Sequence, residues 1–265
     1  MPTDPSLLPP QHLVDLVGGG DYRMVGESYL RYFVDHCGLR PDHRVLDVGC
    51  GSGRIAAALT TFLDSGGSYD GFDVVDEAIA WCEREISRRF SNFRFRVVDV
   101  QNRFYRPDGA IDSARFTFPY VDRAFDFVFL TSVFTHVLPE TFDRYLSEIA
   151  RVLRTGGKCL MTFFLLNGES WQLLLDGKSR VPLRHYFGVY TSVSANAPEA
   201  SVSYDEGFVL AKAREHGLEI CRPIDYGNWC GRPSSMRFQD VIVTEKVPAR
   251  PGGGSWLDRL FKRLS

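Results

Sequence analysis

A carboxylate, three glycines and a second carboxylate are spaced along this chain as a cofactor site would need them. Asp47 closes an apolar run, Arg44-Val45-Leu46, and is followed by Val48-Gly49-Cys50-Gly51-Ser52-Gly53. A helix-forming run, Ile55-Ala56-Ala57-Ala58-Leu59, comes next. Strand, acidic residue, glycine turn and helix start together suit a nucleotide-type cofactor, because glycine lets the backbone approach a ligand closely and adopt positive φ. A dinucleotide fingerprint would read G-x-G-x-x-G, with its third glycine packing helix on strand under the pyrophosphate. Here that position is Arg54 and the glycine falls at Gly53, so the spacing is G-x-G-x-G. Asp73 ends the next strand-like run, 20 residues after Gly53. A carboxylate there can accept two ribose hydroxyls, in a dinucleotide or in any other nucleoside cofactor.

The stretch Val45 to Gly53 resembles the first motif of class I S-adenosylmethionine-dependent methyltransferases. The resemblance implies S-adenosyl-L-methionine as cofactor and S-adenosyl-L-homocysteine as product. It implies that Asp47, Gly49, Cys50, Gly51 and Gly53 wrap the methionine part, with Asp73 and Val74 at the ribose. In the same family a polar side chain and a backbone N–H after strand three meet the adenine. Asp99 and Val100, in Val97-Val98-Asp99-Val100-Gln101, match those places. Phe125-Asp126-Phe127-Val128 with Leu130-Thr131 resembles the fourth motif, where a strand ends beneath the reacting sulfonium. Leu153-Arg154-Thr155-Gly156-Gly157 resembles the turn before strand five. Tyr22 and Gly26 sit where the family's lid lies, although Tyr22 equally suits a buried anchor.

The acceptor is narrowed by what is missing. Exocyclic-amine methylation usually shows an Asn/Asp-Pro-Pro-aromatic run after strand four, and here that place reads Thr131-Ser132-Val133-Phe134. Cytosine C5 chemistry needs a Pro-Cys pair, which the chain lacks. No basic stripe with interleaved aromatics marks a nucleic-acid groove, so no nucleic acid is expected. His136 follows strand four, where many small-molecule O-methyltransferases of this fold carry a deprotonating histidine. Histidine titrates near neutrality, which suits a general base, but helix capping or a wall hydrogen bond would place it there too. His185 is the second catalytic candidate. The resemblance therefore points to O-methylation of a small molecule or glycan. N-methylation of a small molecule or protein, or a binding protein that keeps the fold, are the alternatives. Arg106 and Arg115 could meet an acidic acceptor, or stand exposed.

These residues need a scaffold of alternating strands and helices. A helix is expected over 25–37, stopped by Gly38; strands over 44–49, 69–73, 93–100, 125–130 and 158–166; and helices near 53–64, 77–90, 139–153 and 205–216. Such alternation predicts an α/β fold with a mostly parallel sheet and helices on both faces. Two last strands, 219–226 and 236–245, can pair antiparallel and give seven strands in a Rossmann-like methyltransferase fold over 25–246. Residues 1–24 read as an irregular arm. Residues 167–204, rich in Tyr, Phe and Trp, read as an acceptor-side insertion. After a Gly/Pro linker from 247, Trp256, Leu257, Leu260, Phe261 and Leu264 fall on one face of a short amphipathic helix. That face could touch a membrane surface or a partner, or dock on its own domain.

A chain of 265 residues with 44% hydrophobic residues and net charge −2 suits one substantial α/β domain without an overall field for nucleic acid or membranes. Its six cysteines form no C-x-x-C pair, so neither a metal site nor a redox dithiol is expected. No apolar run reaches the ~18 residues of a membrane span, and the expected location is the cytoplasm.

Overall fold

The computed structural model describes residues 3–233 and 237–248. The strand β1 (Arg44–Val48) is the centre of the fold, and four of its five residues are buried. Burial on both faces is what a short apolar run gives in a parallel sheet covered by helices. Around it stand β2 (Ser68–Asp73), β3 (Phe93–Val97), β4 (Phe125–Leu130), β5 (Leu153–Phe163), β10 (Leu218–Ile220) and β11 (Asp240–Lys246). Their order is β10-β11-β5-β4-β1-β2-β3. The β1, β2, β3, β4 and β5 pairings are parallel, and β11 runs antiparallel to both β5 and β10. The expected seven-stranded Rossmann-like sheet ending in an antiparallel pair is the one observed. The order reverses between β1 and β4, and ligands of open α/β sheets bind at the carboxyl ends of strands at such a point.

Two apolar layers cover the sheet. One gathers Phe33, Val45, Trp81, Phe127 and Phe129; the other gathers Leu46, Val48, Val128, Phe142 and Ile149. The helix α5 (Pro139–Val152) starts with proline in its first turn, where the missing N–H costs nothing, and buries Phe142, Leu146 and Ile149 as their spacing predicts. The helix α3 (Arg54–Leu59) is shorter than expected and buried through Leu59.

The helix expected over 25–37 begins earlier. The Asp21 side chain accepts from the Met24 N–H and caps α2 (Tyr22–Tyr32), which continues as a widened turn to Cys37 and stops at Gly38, φ 69°. The helix α4 (Asp76–Cys82) likewise runs into a wide turn, Glu83–Ser87. Strand five starts at Leu153 rather than 158, with a register shift between Phe125 and Phe127 opposite it.

The arm, expected to be irregular, and the insertion both hold regular elements. The arm holds a single turn, Pro5–Leu7, and α1 (Gln11–Leu16), with Leu7, Leu13 and Val14 buried. Prolines interrupt the apolar pattern of this segment, yet Pro5 simply opens the turn that Asp4 caps. The insertion holds α6 (Gly168–Leu175) and builds a second sheet from β6 (Leu165–Leu166), β7 (His185–Tyr186), β8 (Tyr190–Ser192) and β9 (Val202–Asp205), in the order β6-β9-β8-β7. The helix α7 (Glu206–Glu215) then returns to the main sheet. The expected amphipathic segment with Trp256, Leu257, Leu260, Phe261 and Leu264 lies outside the described residues. Among the described residues no helix is long and apolar enough to cross a membrane.

Candidate cofactor and acceptor site

The glycine turn needs its glycines for distinct reasons. Gly49, Gly51 and Gly53 all have positive φ, at 77°, 53° and 77°. A Cβ on Gly49 would stand 2.6 Å from Val133 Cγ2, and one on Gly51 would stand 2.3 Å from Val17 Cγ1. At Gly53 it would meet Cys82 Sγ at 2.9 Å. Gly53 thus fits α3 against α4, whereas Gly49 and Gly51 face the cavity.

Of the two carboxylates, Asp73 holds this turn and Asp47 stands buried beside it. Asp73 Oδ2 accepts from the Gly51 N–H at 2.8 Å and Oδ1 from the Val75 N–H at 3.1 Å. Burial raises its pKa, opposed by the N–H groups of Gly51, Val75 and Val74. Asp47 is 2% exposed. Its Oδ2 accepts from the Tyr69 hydroxyl at 2.7 Å, while Oδ1 is buried without a partner. Burial pushes its pKa up to about 8; the Tyr69 hydrogen bond opposes this and the Asp73 charge adds to it.

The strand ends enclose a cavity of about 1480 Å³, above the roughly 300–1,000 Å³ usual for one ligand. Of the residues read from sequence, Asp47, Gly49, Cys50, Gly51, Asp73, Val74, Val100, Thr131 and His136 line it. The others do not. Leu130 is fully buried one residue behind the wall. The Tyr22 hydroxyl donates to the Ser52 carbonyl at 2.7 Å, so Tyr22 anchors α2 to the turn. Gly26 gives α2 its close approach to α3: a Cβ there would lie 2.5 Å from the Arg54 carbonyl oxygen. Asp99 is exposed and pairs with Arg106, whose Nη1 is 3.4 Å away. Its neighbours Val98 and Val100 are buried and line the cavity. His185 is exposed on β7, away from the cavity wall. Arg106 also donates to the Val74 carbonyl at 2.8 Å, tying the loop after β3 to β2.

Several wall residues left no signal in the sequence. Asp15, Val17 and Gly18 come from the arm, Met24 and Tyr29 from α2. The arm is fastened by Ser52 Oγ donating to the Leu13 carbonyl at 2.9 Å and Arg54 Nη1 donating to the Gly19 carbonyl at 3.0 Å. Glu199 and Ser201 come from the insertion, and Phe238 and Gln239 are the two residues just before the last strand.

His136 ends a short turn, Phe134–His136, reached through Ser132, a non-glycine residue at φ 61°. Ser132 is held by its N–H donating to Thr162 Oγ1 at 2.8 Å and its hydroxyl donating to Gln239 Oε1 at 3.1 Å. His136 Nδ1 lies 3.1 Å from the Glu199 carbonyl oxygen. A carbonyl only accepts, so Nδ1 carries the hydrogen and Nε2 keeps its lone pair. Burial lowers the pKa of His136, against the backbone hydrogen bonds of Glu199 and Ala200. The ring is therefore a neutral base at neutral pH.

Comparison with known proteins identifies the family. Residues 46–161 match the family model described as a methyltransferase domain. Over 227 residues the chain is 33% identical to phthiotriol/phenolphthiotriol dimycocerosates methyltransferase 1 of Mycobacterium ulcerans, covering 82% of this chain and 66% of that protein. It is 31% identical over 202 residues to a sterol 24-C-methyltransferase of Schizosaccharomyces pombe, covering 76% and 46%. The chain spans between about a third and about two thirds of the length of the curated relatives it matches. A solved protein from Pyrococcus horikoshii OT3 shares the fold, with TM-score 0.59 and 18% identity over 87% of this chain and 93% of its own. The matched stretch runs from β1 through most of β5 and so takes in the glycine turn, Asp73 and the wall at Thr131; the chain belongs to the class I S-adenosylmethionine-dependent methyltransferase family.

Proposed function

We propose that this protein methylates an oxygen of a small-molecule or glycan acceptor, with His136 as general base. The carrying observation is the Glu199 carbonyl that holds Nδ1–H and leaves Nε2 able to take a proton. The family's methyl donor fits the residues present. Asp47 has a buried oxygen without a partner, suited to the cofactor's α-ammonium group. Asp73 keeps lone pairs for ribose hydroxyls beyond the two it spends on backbone N–H groups. When bound, S-adenosylmethionine supplies a methyl group on a sulfonium, open to in-line displacement.

The chain's own work is then positioning and proton transfer. The turn at 49–51 and Val133 fix one side of the cavity. Tyr145, Phe164, Val181 and Phe238 offer an apolar wall that excludes water from the acceptor. His136 Nε2 would take the acceptor hydroxyl proton as that oxygen receives the methyl group the cofactor would supply. The names of the two relatives above, one a sterol methyltransferase, support a small-molecule acceptor. All six thiols are free and five are buried, which supports a reducing compartment such as the cytoplasm.

Release of S-adenosylhomocysteine across a panel of hydroxylated small molecules tests the reading. With an acceptor found, His136→Ala should lower kcat about 10²–10⁴-fold while cofactor affinity stays as in the wild type. The wild-type rate should rise with pH and level off below the ordinary histidine value, because burial lowers this pKa. Full turnover by His136→Ala would remove the base. A chain that binds no S-adenosylmethionine would remove the enzyme.

A further inference from the structure

The surface changes character in the insertion. The helix α6 lies against the β7–β8 hairpin, with the Trp171 and Tyr186 rings edge to face at 6.0 Å. Around this contact Leu175 is 76% exposed, Tyr186 65%, Phe187 41% and Val189 37%. Lys178, Arg180 and Arg184 are exposed in the same stretch. Asp176 is the one carboxylate between 171 and 189, and it accepts from Gln172 and faces Lys178 at 3.3 Å. Three other carboxylates flanking the insertion are engaged: Glu169 with Arg232, Asp205 with the Phe208 N–H, and Glu206 with Asn167 and Tyr226, while Glu140 and Glu199 line the cavity. In a chain of net charge −2, Lys178, Arg180 and Arg184 against Asp176 leave this stretch with an excess of two positive charges. It also borders the cavity: Val181 lies within it, and Phe164 and Phe238, in contact at 5.7 Å, line the same wall.

We propose that this face docks on an anionic lipid bilayer, with the cavity mouth turned toward the membrane. Half-exposed aromatics with a polar edge seat at the headgroup level, and cations beside them are drawn to anionic lipids. The apolar residues are too few for insertion and enough for shallow, reversible contact. A second copy is a poorer occupant, because a two-fold contact would set Lys178, Arg180 and Arg184 against their own images. The docking does not depend on which atom receives the methyl group.

Co-sedimentation of the full chain with vesicles tests this. Vesicles of phosphatidylcholine with about 30% phosphatidylserine should carry the protein down, and pure phosphatidylcholine should not. Raising salt from about 0.1 M to about 0.5 M should cut binding roughly tenfold. The variants Leu175→Ser/Tyr186→Ser and Lys178→Glu/Arg184→Glu should each lose most of it, with unchanged melting temperature and S-adenosylmethionine affinity. Equal binding by wild type and variants would move the contact elsewhere on the chain and overturn the proposal. So would no binding to anionic vesicles, or a dimer that these substitutions abolish.

Discussion

In the protein by itself Asp47 is mostly a neutral acid at pH 7, since burial lifts its pKa to about 8. With the cofactor's α-ammonium group placed beside Asp47 as proposed, its charge favours the ionised form, so cofactor binding should expel a proton. The apparent Kd for S-adenosylmethionine should then fall close to tenfold per pH unit between about 5.5 and 7.5. Calorimetry at pH 6.5 in buffers of different ionisation enthalpy should count close to one proton released. No release would mean that Asp47 is already ionised. For stability the sign is opposite: between the ordinary 3.8 and about 8 the folded chain holds a proton that the unfolded chain lacks, so this residue's contribution declines as pH rises. Asp47 and Asp73 were legible because each closes a strand beside a turn, a local arrangement that the sequence spells out. Asp99 was harder. Alternation past β3 buries Val98 and Val100 and turns Asp99 outward to Arg106. Which of two adjacent residues faces a ligand is set by that phase, and a short run of five residues does not display it. His185 had even less to mark it, because a two-residue strand has no readable pattern.

Among the elements, the arm changes the site most and was least visible beforehand. Its three buried apolar residues, Leu7, Leu13 and Val14, are too few and too interrupted by proline to show a period. Its fastening is tertiary: Ser52 to Leu13, Arg54 to Gly19, and Val17 packed on the face of Gly51. Those contacts make Gly51 the hinge between turn and arm. Gly51→Ala would place a methyl group 2.3 Å from Val17 Cγ1 at a φ of 53°, so either the turn shifts or α1 lifts away. The strain is about 1–3 kcal/mol, which is roughly tenfold or more in cofactor affinity if the turn relaxes to relieve it. Binding calorimetry should show that loss, and hydrogen exchange should quicken across Gln11–Leu16. Wild-type affinity with wild-type exchange would mean that the arm does not govern the turn. The long helix α5 makes the contrast: its period and opening proline were on the page, and the structure reproduces its bounds within one residue.

Across the whole molecule, the two sheets are joined at one buried carboxylate. Asp240 opens β11 in the main sheet and is fully buried. Its Oδ2 accepts from the Leu165 N–H, at the start of the second sheet, and from Trp229 Nε1, each at 2.7 Å. Its Oδ1 accepts from the Gly227 N–H at 2.7 Å and from Arg232 Nη1 at 3.1 Å. Arg232 is itself buried and reaches Glu169 in α6 at 2.7 Å. Burial lifts the Asp240 pKa to about 6 against these donors and the Arg232 charge, so the ionised pair gives little net stability. Breaking it is a different matter, because Arg232 and three further donors would be left buried without their acceptor. Asp240→Ala should cost about 3–5 kcal/mol, which is roughly 6–20 °C in melting temperature for a domain of this size. Replacing both partners, Asp240→Leu with Arg232→Met, should recover part of that loss, since it leaves no buried unpaired charge and frees only the exposed Glu169. The Phe164 and Val181 side of the cavity hangs from this junction, so the single variant should also weaken acceptor binding more than cofactor binding. If Asp240→Ala melts within a degree or two of the wild type, the junction is not what holds the insertion over the cavity.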